Sequence, residues 1–166
     1  METIYNVDWN GPFTVEDVRS VEHLANDRDE NDAPYYVLYM VCGTHGLYGR
    51  NVPLYIGKTE RGIKVRMDEH EKSWFCHQPD PVSIYVACIA HFEDWKGLEQ
   101  ASYSASDLGD GVISGIEKLL IHAHQPVYNT SSKNSVSADV EALRIFNTGK
   151  RSCLLPEIST LYMLAR

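Results

Sequence analysis

Glu117 sits where a helix would carry an apolar residue. With Ile113 at zero on a wheel advancing about 100° per residue, Glu117 falls near 40°, between Leu120 at about 340° and Ile121 at about 80°. An unpaired buried carboxylate is costly, so it needs a cation, a metal or a raised pKa. A structural ion pair is the plain alternative. The helical stretch 60–74 repeats the theme. With Ile63 at zero, Met67 at about 40° and Trp74 at about 20° define the apolar stripe, while His70 at about 340° and Arg66 at about 300° lie on its edge. A core histidine and a snorkelling arginine are the plain readings of these two. Tyr39 and Tyr55 lie in strand-like runs, and pairing of those runs would bring the two phenols together on one face. Tyrosine is common in strands, which is the plain reading here.

A carboxylate, a guanidinium, an imidazole and two phenols together suit displacement at phosphorus. A hard cation takes oxygen ligands and keeps several waters, so one carboxylate suffices when substrate phosphate completes the shell. A guanidinium matches two phosphate oxygens. Displacement needs a deprotonated water on one side and a stabilised leaving oxygen on the other. A phenol near its ordinary pKa of about 10 is a poor base, so a cation such as Arg66 or Lys58 must lower it.

Gly57-Lys58-Thr59 has the ending of a phosphate-cradling loop, but the nucleotide reading fails. Such a loop needs a glycine five positions before the Gly-Lys pair. That position is Val52, and Pro53 after it has no amide hydrogen to donate.

The elements that must position these groups follow from periodicity and breakers. Thr14 and Asp17 mark a helix start, with an apolar stripe at Val15, Val18, Val21 and Ala25. Residues 26–34 form a charged connector. Strands are expected over 35–41, 53–56 and 82–90, with a long turn over 43–53. The stretch 94–110 reads as irregular. A helix follows from 111 to about 124, ended by Pro126. Residues 138–146 and 158–165 read as two further helices. The expected fold class is α+β: a small three-stranded antiparallel sheet flanked by helices, with short N- and C-terminal helical extensions. One domain is expected over 1–166, with a core at about 35–129 between extensions 1–34 and 130–166.

Composition narrows the classes. No apolar run is long enough to span a bilayer, and no signal-peptide pattern opens the chain. Cys42, Cys76, Cys88 and Cys153 form no Cys-x-x-Cys pair, so a zinc site or redox pair is disfavoured and a reducing, cytoplasmic compartment fits. His70, His77, His122 and His124 match no closed zinc spacing either. The net charge of -8 argues against coating nucleic acid through bulk charge. The charge is uneven, however. Residues 16–32 hold seven acids and two bases, whereas 50–66 holds Arg50, Lys58, Arg61, Lys64 and Arg66 against Glu60 alone. That stretch is a candidate phosphate-binding face, with a solvated helix face as its plain reading.

Taken in order, Tyr55-Ile56-Gly57, Arg66, His70, Glu117 with Leu120-Ile121, and Pro126-x-Tyr128-Asn129 resemble the GIY-YIG nuclease superfamily. The resemblance covers about 35–129. The first motif departs from the family pattern: it reads Val37-Leu38-Tyr39 and lacks its glycine. The gap from Tyr39 to Tyr55 is about five residues longer than usual for the family, which implies a longer hairpin loop. Leu47-Tyr48-Gly49 imitates the second motif, but only Gly57 is followed by Lys58 and correctly placed Arg66 and His70, so Tyr48 reads as a loop residue.

The resemblance implies a DNA endonuclease that cleaves phosphodiesters with one divalent metal, Mg²⁺ or Mn²⁺. It implies Glu117 as the sole protein ligand and Arg66 on the scissile phosphate. Tyr39 or Tyr55 would help to activate water, with His70 hydrogen-bonded to one of them. Lys58 would depress a phenol pKa or contact phosphate, and Asn129 would hold the site from below. Arg50, Arg61 and Lys64 are the expected DNA contacts. The short flanks suggest a stand-alone, restriction-type enzyme that dimerises to cut both strands. The rival expectation is a catalytically silent nucleic-acid- or protein-binding module on the same scaffold.

Overall fold

The computed structural model describes residues 2–20, 36–92, 105–134 and 142–164. In chain order its elements are β1 (Thr3–Phe13), α1 (Val15–Ser20), β2 (Leu38–His45), β3 (Gly49–Lys58) and α2 (Ile63–Ser73). A 3-10 turn (Phe75–His77) and β4 (Ser83–His91) follow. Then come α3 (Ala105–His124), β5 (Leu143–Gly149), β6 (Glu157–Ser159) and α4 (Thr160–Leu164). The six strands form one sheet in the order β3-β2-β4-β1-β5-β6. Every neighbouring pair is antiparallel except β1 and β5, which run parallel.

The α+β class stands, but the three-stranded sheet is overturned: the sheet is mixed and has six strands. The expected strands over 35–41, 53–56 and 82–90 fall on β2, β3 and β4, which make up only half of it. The N-terminal extension supplies β1, which lies between β4 and β5. Tyr5, Val7 and Trp9 are the buried apolar residues at every second position, a strand period obscured by Asn6, Asp8 and Asn10 between them, of which Asn6 is buried as well. The helix expected over 138–146 is also overturned. Residues 138–141 lie outside the described residues, and Leu143 to Phe146 belong to β5, where Leu143, Ile145 and Asn147 are buried alternately. Leu143 and Phe146 sit three residues apart, which imitated a helical stripe. β1 fixes the alternative, because Tyr5 pairs with Ile145 across the length of the chain. In the last stretch, β6 takes Ile158 and Ser159, Thr160–Leu164 is helical, and Ala165 lies outside the described residues.

The two sheet faces carry different helices. Leu38, Met40 and Cys42 point into a core with Ile113, Ile116 and Leu120 of α3. Tyr39 and Val41 point to the other face, into a core with Ile63 and Met67 of α2 and Val18 of α1. Successive residues of a strand face opposite ways, so one strand feeds both cores. α1 starts as expected: Asp17 N–H donates to Thr14 Oγ1 at 3.1 Å and Thr14 N–H to Asp17 Oδ2 at 2.8 Å. Val21, Ala25, the connector 26–34 and residues 94–104 lie outside the described residues. The helix expected from 111 begins earlier, at Ala105, and is broken at Gly109, whose φ of 72° suits only glycine readily. Among the described residues, no helix is long and apolar enough to cross a membrane.

Candidate active site

The site forms at the C-terminal end of β3, an edge strand of the sheet. An edge strand leaves alternate backbone groups unpaired. Here three partners cover them in turn. Tyr128 N–H donates to Leu54 O at 2.8 Å. Asn129 grips Ile56 at both ends: its Oδ1 accepts Ile56 N–H at 3.0 Å, and its Nδ2 donates to Ile56 O at 2.9 Å. Lys58 N–H donates to Glu117 Oε1 at 2.9 Å. Asn129, expected beneath the site, is the buried residue that fixes β3 there.

On the α2 face, Tyr39 pairs in register with Gly57. The rings of Tyr39 and Tyr55 stack at 6.0 Å, inclined by 15°. Gly57 makes this approach feasible, since a Cβ there would lie 2.6 Å from Tyr39 Oη and 2.9 Å from a Tyr55 ring carbon. His70 Nε2 is 2.9 Å from Tyr39 Oη, and the Arg66 Nε–H donates to the same oxygen at 3.4 Å. The Tyr55 and His70 rings lie 4.7 Å apart. The two phenols differ in access. Tyr39 is 0% exposed, whereas Tyr55 is half-buried. No buried side-chain polar atom among the described residues lacks a partner, and the Tyr55 hydroxyl has none, so that hydroxyl reaches solvent.

Burial pushes the Tyr39 phenol above its ordinary pKa, and the Tyr55 phenol adds to the rise. Arg66 pulls the other way and loses. The expectation that neighbouring cations lower a phenol pKa therefore fails at Tyr39, because desolvation is the larger effect. Burial also lowers His70 to about 4, with Arg66 adding to the shift, so the imidazole is neutral near pH 7.

On the α3 face, Glu117 stands half-buried and leans over the edge of β3. Burial raises its pKa, while the Lys58 amide, Lys58, Arg66 and Lys118 oppose the rise. Its second oxygen has no protein partner and is open to solvent by the same reasoning as for Tyr55. Glu117 and Tyr39 come from opposite faces of the sheet, yet the Glu117 charge reaches the Tyr39 phenol across the end of β3 and adds to its raised pKa.

The basic groups are less free than the sequence suggests. Lys58 Nζ donates to Asp110 and, at 2.8 Å, to Ser114 Oγ, with Glu60 at 3.9 Å. It makes no hydrogen bond to a phenol. Arg66 pairs with Glu69, and Arg61 reaches the same carboxylate at 2.7 Å. Lys64 and Arg50 are exposed and have no partner among the described residues. The basic stretch is not one face. Arg50 lies near the tip of the β2–β3 hairpin, where His45 pairs with Gly49. Lys58 lies eight positions further along the strand, about 26 Å at the usual rise. Leu47 and Tyr48 occupy the same tip, 79% and 65% exposed, so Tyr48 is a loop residue as expected.

Sequence reasoning missed Glu69, Asp110, Ser114 and the polar role of Trp74. Glu69 follows Arg66 by three positions and Trp74 follows His70 by four, spacings that place side chains together on a helix. Asp110 and Ser114 lie about two turns and one turn before Glu117, so they share its side of α3.

These donors fit a hard divalent cation of one kind only. Among the described residues, no group of three or more His, Cys, Asp or Glu side chains is placed to cage a metal. A single carboxylate with one open oxygen suits a cation that keeps most of its water and takes further oxygens from a phosphate. The histidines serve elsewhere: His122 Nδ1 bonds Lys133 O at 2.8 Å, and His124 bonds Leu120 O and the Leu155 amide, both at 2.9 Å. No family model, curated protein or solved structure matches this chain, and its site stands on its own geometry.

Proposed function

We propose that this chain is a divalent-metal-dependent DNA endonuclease of the GIY-YIG type, hydrolysing phosphodiester bonds. One observation carries the reading: Glu117, Arg66 and two stacked phenols, from four different elements, converge on the end of one edge strand. A solvent-open carboxylate oxygen beside a guanidinium suits a phosphate and its counter-cation and has no evident packing purpose.

Glu117 would hold Mg²⁺ or Mn²⁺ through its open oxygen, and the bound cation supplies Lewis-acid stabilisation of charge on the phosphate and a more acidic bound water. Arg66 leaves Glu69 and takes two phosphate oxygens in its fork. Tyr55 carries the accessible hydroxyl and so meets the nucleophilic water. Tyr39 works from beneath, accepting the Arg66 Nε–H and holding the guanidinium plane. Lys58 anchors Glu117 through its amide and becomes a phosphate contact if Asp110 releases its ammonium. Lys64 and Arg61 extend phosphate binding along α2. The reading carries with it a cytoplasmic location, where the four free cysteines stay reduced, and a homodimer if both strands are cut.

A second reading, a silent binding module, is favoured by one observation. Lys58, Arg61 and Arg66 are each already paired with a carboxylate, and Glu117 already caps a strand. Supercoiled plasmid incubated with the purified chain and Mg²⁺ or Mn²⁺ decides between them. The nuclease reading expects nicking that EDTA abolishes and Arg66→Ala removes. Binding without nicking on any DNA substrate hands the site to the silent module.

A further inference from the structure

Trp74, His70, Tyr39 and Arg66 form a line of hydrogen bonds whose direction one donor decides. The Trp74 indole N–H donates to His70 Nδ1 at 3.0 Å. An indole nitrogen can only donate, so Nδ1 must present its lone pair. In a neutral imidazole the proton then sits on Nε2. His70 Nε2–H therefore donates to Tyr39 Oη at 2.9 Å, and the Arg66 Nε–H donates to the same oxygen at 3.4 Å.

We infer that Trp74 is a positioning residue of this site: it holds His70 in the Nε2–H tautomer, which makes the imidazole a fixed donor to Tyr39 and lets the oriented phenol oxygen hold the Arg66 guanidinium. Trp74 is itself well held. Its ring packs 4.6 Å from Phe75 and 4.8 Å from Tyr128, and Tyr128 is anchored to β3 through its amide.

This wiring excludes a role that a histidine beside a tyrosine would otherwise invite. With the opposite tautomer, Nε2 would accept the phenol proton, and the pair would draw a proton from water through Tyr39. The Trp74 bond removes that acceptor, so His70 is not the proton sink. Six groups face His70. They are Tyr39 from β2, Tyr55 from β3, Trp74 and Phe75 beyond the helix, and Arg66 and Glu69 from α2. Burial and the Arg66 charge disfavour imidazolium, and Glu69, which favours it, loses. The task given to Arg66 rests on the nuclease reading, whereas the tautomer does not.

The test uses the ¹⁵N-labelled full chain. In wild type near neutral pH, the His70 ring should show a protonated Nε2 and an unprotonated Nδ1. Trp74→Phe keeps an aromatic ring but deletes the donor. In that variant His70 should titrate upwards towards the ordinary value of about 6.5, and the Arg66 Nε–H resonance should move. Plasmid-cleavage kcat should fall about tenfold with KM nearly unchanged, the signature of a displaced transition-state contact. A protonated Nδ1 in wild type overturns the inference without any variant. So does a Trp74→Phe chain whose His70 titration and Arg66 resonance match wild type, or whose kcat is unchanged. A wild type that binds but never cuts DNA sinks the nuclease reading instead, and the two resonance measurements still decide the relay.

Discussion

Glu117 Oε1 accepts the backbone amide of Lys58 at 2.9 Å, so the carboxylate is held by the main chain of β3 and not by a side-chain cation. Its other oxygen stays open, and that division separates structural from chemical roles in one residue.

Glu117→Gln should therefore fold normally, because an amide oxygen still accepts the Lys58 N–H. Cleavage should fall at least about a hundredfold with loss of the charged oxygen, while DNA binding stays equal or tightens. The pH dependence has a definite sign. Burial raises the folded-state pKa of Glu117, so the folded state binds more protons than the unfolded one between the two values, and stability falls as pH rises through that window. The cost is absent below the unfolded value of about 4.3 and complete above the folded one. Glu117→Gln should be at least as stable as wild type at pH 7, with the difference gone at pH 3. Urea melts at both pH values, paired with plasmid nicking, measure this. A variant cleaving at the wild-type rate removes Glu117 from the chemistry.

Glu69 holds both Arg66 and Arg61. Its pairs are partly solvated, and such pairs contribute little to folding. Glu69→Gln should leave thermal stability unchanged yet bind DNA more tightly, because two guanidiniums no longer need to exchange a partner. Gel-shift affinity should rise several-fold and fall more steeply with salt. Weaker binding would mean that Glu69 positions Arg66 productively.

Lys64 and Arg50 have no partner among the described residues, but only Lys64 lies on α2 beside the site. Lys64→Glu should weaken DNA binding about tenfold at moderate salt. Lys150→Glu, at the end of β5 and four strands from β3, should have little effect. Arg144 would be a poor reference, since it bonds Glu2, Glu157 and Tyr162. Equal losses at Lys64 and Lys150 would reduce the effect to bulk charge.

Asn129→Ala deletes both hydrogen bonds to Ile56 and leaves a buried N–H and C=O of the edge strand unmet. The expected cost is about 2–3 kcal/mol in urea unfolding. Cleavage should drop as well, because β3 carries Tyr55, Gly57 and Lys58. A stability loss within error would show that water replaces the amide freely.

What the sequence determined by itself was local. The wheel positions of His70, Arg66 and Glu117 follow from helical periodicity, and the order of Tyr39, Tyr55, Gly57 and Asn129 is written along the chain. The Thr14 and Asp17 helix start is a contact over three residues, and it formed as expected. Tertiary structure alone decided the long-range pairings. β1 and β5 meet in parallel from opposite ends of the chain, and nothing local in Leu143 to Phe146 separates a strand from a helical turn until Tyr5 and Val7 lie beside it. The state of the charges was equally hidden. Lys58, Arg61 and Arg66 read as free cations until folding set Asp110 and Glu69 against them. The same is true of Tyr39, whose burial outweighs its cations, and of Trp74, whose indole N–H gains meaning only because the last turn of α2 aims it at a histidine. Periodicity fixes which face a side chain takes, but desolvation and partner choice depend on what the rest of the chain brings to that face.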